Sequence, residues 1–311
     1  MQVIKYELGT RLLGGCVVAL GFFDGVHLGH RSLLKCARDK ARSLGVPLAV
    51  FTFAHGGGIK AGAPLIYSER DREELFAELG VDAVAVADFA QLRDLSAEEF
   101  VDKVLIGDLG ALVAVAGYDY RFAKYGKADA LVLSTLMAAR GLYAEIVEEY
   151  RLSERTVSSS EIRGLLEGGK VEDARELLGA PFFISGTVVH GRADGKGFGY
   201  PTINIGVREG AVKLKRGVYL TAVKMGEKLY TGLTNVGECP SFGAREYHTE
   251  TYLLDFEGDA YGMETKVYFL SFLREERVFT SLGELKEQIA IDLKKATEIK
   301  GDRKWQELGL N

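Results

Sequence analysis

A short segment that joins an apolar run to a helical pattern constrains the fold of this chain most. The run Cys16–Leu20 has the length and composition of a buried strand, and a glycine-bounded turn follows it. Two histidines, His27 and His30, come directly after the turn. Apolar residues at helical spacing then predict an amphipathic helix, and they are Leu33, Leu34, Ala37, Ala41 and Leu44. The histidine pair therefore lies where a strand passes into a helix.

The position of the histidine pair favours a phosphate site. The first N–H groups of a helix have no partner within it, and the helix dipole is positive at this end. Imidazole groups can donate further hydrogen bonds to phosphate oxygens, and Gly29 lets the backbone approach a ligand closely. Two other interpretations of the histidines stay open. Each could be a helix cap or a surface residue, or the two together could bind a metal ion. Helical metal pairs are commonly spaced i, i+4, and no cysteine or carboxylate cluster is nearby in the sequence.

Strand-like and helix-like segments alternate through the first half of the chain. Ser96 and Glu99 form a capping-box pair at the start of one helix. The alternation predicts an α/β domain with a parallel sheet, in which ligands bind at the carboxyl ends of the strands. The segment Gly117–Phe122 also follows a strand, so we expect it to share a crevice with the histidine pair. The predicted strands are 16–20, 48–53, 83–87 and 112–116, and the predicted helices are 31–44, 69–79 and 97–109.

The second half of the chain has a different period. From Phe182 the segments shorten, alternate and become rich in β-branched and aromatic residues, which predicts a small antiparallel β-barrel. A terminal helix follows, with an apolar face from Leu282 to Leu293 and a capping pair at Ser281 and Glu284. We expect residues 1–180 to form the first domain, with a helical connector at its end, and residues 181–311 the second. The predicted barrel strands are 184–189, 217–224, 228–234, 249–256 and 265–272.

Composition limits the partners of the chain. The 311 residues carry a net charge of −5, which argues against general binding to nucleic acid or anionic membranes. No apolar run approaches the roughly 20 residues of a membrane span, and residues 1–12 lack a signal-peptide core. The three cysteines are widely spaced and odd in number, which favours buried thiols in a reducing cytoplasm. We expect small-molecule substrates and a monomer or weak homo-oligomer.

A hydroxyl-rich segment, Val157–Arg163, closes the first half. Its three serines precede a helical pattern, so a plain helix cap explains them as well as a ligand does. In the functional interpretation, Ser159, Ser160 and Arg163 bind a triphosphate, because arginine presents a planar fork of donors. Asp119, in the segment Gly117–Phe122, is similarly ambiguous, since aspartate is common in turns.

Three motifs of the first half, taken together, resemble those of bacterial FAD synthetases. The string Phe-Asp-Gly-Val-His-Leu-Gly-His at 23–30 resembles the signature of the H-x-G-H nucleotidyltransferase superfamily in the form of its FAD synthetase branch. Residues 157–163 resemble the superfamily's Ile-Ser-Ser-Thr-x-Ile-Arg segment, and residues 117–122 resemble the family's third motif, Gly-x-Asp/Asn-Phe-x-Phe-Gly. The resemblance implies a Rossmann-like domain that transfers the adenylyl group of ATP to FMN. It implies phosphate donors at His27, His30 and Arg163, nucleotide contacts at Gly21, Phe23, Asp24, Gly25, Gly29, Ser159 and Ser160, and flavin contacts at Asp119 and Phe122.

A glycine-rich loop between residues 186 and 204 is suited to binding phosphates, although hairpins have such loops too. It lacks the Gly-Lys-Ser/Thr ending of a Walker A motif. It ends in Pro-Thr-Ile-Asn at 201–204, which resembles the Pro-Thr-Ala-Asn signature of riboflavin kinases. That resemblance implies that Thr202 and Asn204 bind Mg²⁺, which prefers oxygen ligands. Further nucleotide contacts are implied at Gly191, Gly195, Gly197 and Asn235.

Glu250 is the candidate base of the second half. Strand alternation places it on one face with Tyr252 and Leu254, where a carboxylate is costly unless it has a partner or a role. A solvated position at the barrel end is the alternative. The resemblance to riboflavin kinases implies that Glu250 activates the ribityl 5′-hydroxyl for attack on the γ-phosphate, and that Arg274 and Phe279 belong to a segment that closes over the flavin.

The resemblance to bifunctional riboflavin kinase/FMN adenylyltransferases covers essentially the whole chain. Such an enzyme makes FMN from riboflavin and ATP, then FAD from FMN and ATP, with Mg²⁺. The sequence departs from the family at Ala54-His55-Gly56, where Pro-His-Pro is usual, and at Ala123, where glycine is usual. Two alternatives are a single-activity enzyme, with a working kinase and an impaired adenylyltransferase half, and a non-catalytic flavin-binding module.

Overall fold

The protein was analysed as a computed structural model that describes residues 1–12, 14–54, 62–189, 202–206, 208–241, 244–301 and 304–310. It divides into two compact units, Met1–Ser159 and Ser160–Asn311. No helix among these residues is both long enough and apolar enough to cross a membrane. Cys16 and Cys36 are free thiols, and Cys16 is buried.

The first unit is built on a six-stranded parallel sheet. Its strand order is β1-β4-β3-β2-β5-β8, and every neighbouring pair is parallel. The central strand β2 is buried along its whole length, as its unbroken apolar sequence requires in a sheet covered on both faces. The sheet strands are β1 (Gln2–Tyr6), β2 (Cys16–Leu20), β3 (Leu48–Phe53), β4 (Ala83–Ala87), β5 (Ala111–Gly117) and β8 (Tyr143–Val147), and the short pairs are β6 (Arg121–Phe122) with β7 (Ala128–Asp129) and β9 (Arg151–Leu152) with β10 (Arg155–Thr156).

Helices connect the parallel strands and are capped by their own sequences. The predicted capping box at Ser96 and Glu99 is present, and the helix it begins continues as a π-helix over Phe100–Asp108. The longest helix of this unit starts at His27, whose ring is its N-cap, and ends at Gly45, which takes the left-handed conformation with φ 67°. The helices are α1 (Leu28–Leu44), α2 (Glu69–Glu78), α3 (Phe89–Leu92), α4 (Ala97–Glu99) and α5 (Ala130–Ala138).

The second unit contains a closed six-stranded barrel in which all neighbouring strands are antiparallel. The order is β11-β12-β15-β14-β13-β16, and pairing of β16 with β11 closes it. Three buried threonines, Thr221, Thr234 and Thr251, share hydrogen bonds of 2.8 Å across neighbouring strands. The strands are β11 (Phe183–Val189), β12 (Thr202–Gly206), β13 (Gly217–Met225), β14 (Lys228–Ser241), β15 (Ala244–Leu253) and β16 (Glu264–Arg274).

Three helices accompany the barrel: α6 (Ser159–Glu167), α7 (Val171–Leu178) and α8 (Leu282–Lys300). The terminal helix α8 begins at the predicted Ser281 cap and packs on the outside of the barrel through a cluster that includes Leu233, Leu270 and Ala296. Ser271 hydrogen-bonds to Glu172 of α7, so the connector belongs by its contacts to the second unit. The domain limits 1–180 and 181–311 stay a prediction.

The predicted fold class, an α/β domain with a parallel sheet followed by an antiparallel barrel and a terminal helix, is confirmed. Three predicted strands, 16–20, 48–53 and 83–87, have the predicted bounds. The strands β1, β8 and β12 were not predicted. The last of these matters for function, because Thr202 and Asn204 lie on it.

Candidate active sites

The turn between β2 and α1 has an unusual backbone that other parts of the fold hold in place. Phe23 and Val26 have φ values of 55° and 41°, which non-glycine residues rarely adopt. The carbonyl oxygen of Phe22 accepts from Thr52 Oγ1 at 3.1 Å and from Arg72 Nη1 at 2.8 Å. Ile66 donates its backbone N–H to the buried Asp24 carboxylate at 2.9 Å. Strained turns persist only where their surroundings over-determine them, and such places are commonly functional.

The two histidines lie together at the start of α1. Their rings stack with 3.6 Å between centroids and 17° between planes. The backbone N–H of His30 donates to Nδ1 of His27 at 3.3 Å, so this nitrogen carries a lone pair and the proton of the neutral ring is on Nε2. A Cβ at Gly29 would lie 3.2 Å from the His27 ring. Glycine at this position therefore makes room for the ring itself.

The serine-rich segment meets the histidine turn within the first unit. Ser159 Oγ donates a hydrogen bond of 2.7 Å to the backbone carbonyl of Asp24, across 135 residues of sequence. The adjacent residue, Ser160, is exposed in the first turn of α6, and Arg163 is buried on the same helix in the second unit. The Ser159 hydroxyl thus holds the backbone of the histidine turn in place. Its contact with a nucleotide stays a prediction.

The crevice predicted for the first half lies at the carboxyl ends of β2 and β5. These strands are neighbours in the sheet, and the chain leaves β2 toward β3 on its other side, so this is the topological switch point at which open α/β sheets bind ligands. Asp119 is exposed there, with a carboxylate oxygen 3.1 Å from where a Cβ of Gly117 would be. Phe122 is only 6% exposed and belongs to the core cluster, and its predicted flavin contact stays a prediction.

A cavity of about 310 Å³ lies between the barrel surface and helix α8. It brings together five residues that the sequence predicts for the kinase site. These are Thr202, Asn235, Glu250, Arg274 and Phe279. The rest of the lining is Val218, Leu233, Tyr252, Glu276, Arg277, Leu285, Ile289 and Asp292. A small number of polar groups placed among apolar side chains is typical of a small-molecule site.

The polar side of this cavity is built by strand register. Asn204 and Asn235 are the cross-strand partners of Glu250 on its two sides, so the three residues form a row across β12, β15 and β14. Thr202 Oγ1 donates to Glu250 Oε1 at 2.7 Å. Glu250 lies on the half-buried face of β15, whereas its neighbours Thr249 and Thr251 are buried. The carboxylate is thus held by a partner and reaches the cavity.

The other side of the cavity is closed by an ionic chain between the end of β16 and α8. Arg274 donates to both carboxylate oxygens of Asp292 at 2.8 to 3.0 Å. Gln288 donates to Asp292 at 3.0 Å and accepts from Arg277 at 2.6 Å. The guanidinium carbons of both arginines lie 5.9 Å from the centroid of the Phe279 ring. The helix is therefore fastened over the pocket by charge-assisted hydrogen bonds.

The polar groups of Thr202, Asn204 and Glu250 fit a Mg²⁺–nucleotide. A hydroxyl oxygen, an amide oxygen and a carboxylate are hard ligands of the kind Mg²⁺ takes, with the nucleotide phosphates completing its shell. No cluster of three or more histidine, cysteine or acidic side chains that could hold a metal by itself occurs among the described residues.

Some predicted residues lie outside the part of the chain that the structure describes. They are Gly191, Gly195 and Gly197 of the glycine-rich loop and positions 55–58 of the departing loop. Conversely, Arg72 and Thr52, which hold the Phe22 carbonyl of the histidine turn, and Arg277, which lies against Phe279, were not predicted. The sequence offers one signal for Arg72. A cation near the N-terminus of a helix, here α2, is unfavourable because that end of the helix dipole is positive.

Comparisons with known proteins match both halves of the chain. The family model of FAD synthetase matches residues 10–161, and that of riboflavin kinase matches residues 178–300. A bifunctional riboflavin kinase/FMN adenylyltransferase of Bacillus subtilis is 35% identical over 289 residues, covering 90% of this chain and 91% of its own. The protein of that description from Escherichia coli K12 is 35% identical over 312 residues, covering 97% and 98%. A crystal structure described as a macrolide-efflux protein from Streptococcus pneumoniae has a TM-score of 0.85 at 30% identity, covering 98% of this chain and all of the other.

The fold and the two family matches define a flavin-nucleotide transferase, with an FAD synthetase match in its first half and a riboflavin kinase match in its second. The chain belongs to the bifunctional riboflavin kinase/FMN adenylyltransferase family. It is an enzyme of FAD biosynthesis with ATP and flavins as substrates. Neither the single-activity enzyme nor the non-catalytic module is favoured by these matches.

Proposed function

We propose that the two activities reside in the two sites described, with the residues in the following roles. His27, His30 and Arg163 donate hydrogen bonds to the phosphates of ATP during adenylyl transfer. Glu250 is the base of the kinase reaction, and Thr202 and Asn204 hold Mg²⁺. The observation that most supports this proposal concerns the kinase half. One cavity is lined by all five of Thr202, Asn235, Glu250, Arg274 and Phe279.

In adenylyl transfer, a phosphate oxygen of FMN forms a bond to the α-phosphorus of ATP. The bond from that phosphorus to the bridging oxygen breaks, and pyrophosphate leaves. No protein nucleophile is needed, so the protein aligns the reactants and stabilises charge on the phosphates. In the neutral His27 ring the proton is on Nε2, which makes it the donor nitrogen, because Nδ1 accepts from the N–H of His30. The proposed site also includes the other predicted nucleotide and flavin contacts, among them Gly21, Phe23, Gly25, Gly29, Ser160 and Asp119.

In the kinase reaction, the ribityl 5′-hydroxyl oxygen forms a bond to the γ-phosphorus and the β,γ-bridging bond breaks, which releases ADP. The hydroxyl proton passes to the carboxylate of Glu250. Thr202 orients that carboxylate through its hydrogen bond, and Arg274 with Phe279 closes the flavin end of the cavity. Bound Mg²⁺ would neutralise charge on the triphosphate.

We further propose a cytoplasmic location and no nucleic-acid partner. The free thiols at Cys16 and Cys36 suit a reducing compartment, and the net charge of −5 disfavours polyanions. A monomer or weak homo-oligomer stays the expected state in solution.

Replacement of His30 tests the adenylyltransferase assignment. His30→Ala should lower FAD synthesis from FMN and ATP by about 10²-fold, the scale of losing a charge-stabilising donor. Kinase activity in the same preparation should stay within twofold. Lys35→Ala is the matched control, because Lys35 lies on the same helix and its side chain is 69% exposed. Unchanged FAD synthesis in folded His30→Ala protein would refute the phosphate-donor role.

A further inference from the structure

Arg72 is a buried cation beside the adenylyltransferase site to which neither the motifs nor the family comparisons assign a role. It lies in helix α2 and is only 2% exposed. Burying an arginine is costly unless its charge and donors are used. Burial lowers the pKa of its guanidinium, and the Asp24 carboxylate opposes that effect. The protein therefore buries the charge of Arg72 next to Asp24 of the histidine turn, although this burial is unfavourable by itself.

The contacts of Arg72 converge on one residue, Phe22. Its Nη1 donates to the backbone carbonyl of Phe22 at 2.8 Å, and its guanidinium carbon lies 5.1 Å from the centroid of the Phe22 ring. Its Nε is buried and finds no hydrogen-bond partner among the described residues. The Arg72 side chain thus contacts the carbonyl and the ring of Phe22, and in doing so it leaves its own Nε without a hydrogen bond among the described residues.

Phe22 is the last residue before the strained part of the turn. The next residue, Phe23, has φ 55°, and its ring lies edge-on to His30 with 5.3 Å between centroids. A carbonyl fixed from two sides, by Arg72 and by Thr52, sets the direction in which the chain enters this conformation. A change in that direction moves Phe23 and with it the support of the His30 ring.

We infer that Arg72 is a positioning residue of the adenylyltransferase site, which holds the Phe22 carbonyl so that the turn presents His27 and His30 to the phosphates of ATP. The inference rests on the proposed role of the two histidines. Arg72 itself touches no reacting atom in this account. A displacement of a donor by a fraction of an ångström to 1 Å is enough to cost about 10²-fold in rate.

The test is steady-state kinetics of FAD synthesis by the full-length Arg72→Met protein. We expect kcat/KM for ATP to fall roughly 10- to 100-fold, with a higher KM for ATP as well as a lower kcat. Riboflavin phosphorylation by the same preparation should stay within twofold. Arg70→Met is the matched control, because Arg70 is on the same helix, its side chain is 57% exposed, and it pairs with Glu74. It should leave both activities unchanged.

Two outcomes would overturn the inference. One is an Arg72→Met protein with the kinetics of Arg70→Met. The other is a lower kcat at unchanged KM that matches the fraction of unfolded first unit seen by circular dichroism, because a purely structural arginine predicts that result. If Arg72→Met fails to fold, Arg72→Lys and Thr52→Val decide: each should raise the KM for ATP by several-fold, and normal KM values in both would overturn the inference.

His30→Ala, assayed in parallel, separates the two levels of the argument. A strong loss of FAD synthesis in His30→Ala with normal kinetics in Arg72→Met refutes the positioning role alone. Normal FAD synthesis in His30→Ala refutes the proposed site, and the positioning role with it. A loss in both variants, with a raised KM for ATP in Arg72→Met, supports both.

Discussion

Thr202 and Glu250 are joined by a hydrogen bond of 2.7 Å between two strands of the barrel, from the threonine hydroxyl to the carboxylate. The bond links the residue proposed to hold Mg²⁺ with the residue proposed as the base. Neither group is free to take several rotamers at the mouth of the cavity. The hydrogen bond thus pre-organises the proposed kinase site.

Removal of this hydroxyl should affect the kinase alone. Thr202→Ala deletes one oxygen near the triphosphate and leaves Glu250 without that donor, so the Mg²⁺ and ATP concentrations needed for half-maximal FMN formation should rise. Thr202→Ser keeps the hydroxyl and should behave nearly as the native protein. Titrations of both activities with Mg²⁺ measure this. An equal shift in FAD synthesis would contradict separate sites.

The bond between Ser159 and the Asp24 carbonyl predicts a specific effect in the other half. Ser159→Ala leaves that carbonyl without this donor, which should cost about 1 kcal/mol in stability of the first unit and lower FAD synthesis. Ser160→Ala is the comparison, because Ser160 is exposed. If Ser160→Ala lowers the melting temperature as much as Ser159→Ala, the structural part of this account is wrong.

The pair Arg274–Asp292 should be required for flavin binding by the kinase. Asp292→Asn leaves Arg274, whose side chain is 19% exposed, without its counter-charge, so helix α8 should be held less firmly over the cavity. We expect a raised KM for riboflavin and unchanged FAD synthesis from FMN. Glu287→Gln, an exposed change on the same helix, is the control. An unaltered riboflavin KM in Asp292→Asn would remove the pair from the binding site.

Ala123 is a strained residue next to the predicted flavin segment. Its φ of 61° and ψ of −176° lie in a region that is essentially restricted to glycine, and glycine is usual here in the family. Ala123→Gly should therefore stabilise the first unit by about 1 kcal/mol after the entropy cost of glycine. Ala138→Gly, at the last residue of helix α5, should instead destabilise it slightly. Calorimetry of the full chain measures both, and a lower melting temperature for Ala123→Gly would show that the site is not strained.

The sequence predicts the core of the fold well because burial leaves a clear pattern. Strands β2, β3 and β4 are apolar runs bounded by turns, and their bounds were predicted correctly. Strand β1 is different, because it lies at the sheet edge and is largely exposed, so its sequence QVIKY shows little periodicity. Strand β12 was not predicted, because the glycine-rich sequence before it is typical of a loop.

The candidate sites were predicted through short motifs, and what escaped prediction depends on long-range contacts. The row of Asn204, Glu250 and Asn235 is a product of strand register, which no single motif contains. Arg72 meets Phe22 across 50 residues, and its charge alone predicts an exposed position. Residues whose role is to hold other residues carry no local signature, so only the structure identifies them.

The central claim is that one chain carries two independent sites, with Glu250 as the base of only one of them. The most direct measurement resolves FMN and FAD formed by Glu250→Gln, a change that keeps the shape of the side chain and removes its ability to take a proton. With riboflavin, ATP and Mg²⁺ the variant should form almost no FMN, and with supplied FMN it should form FAD at the native rate. FMN formation within a few-fold of the native rate would contradict the claim.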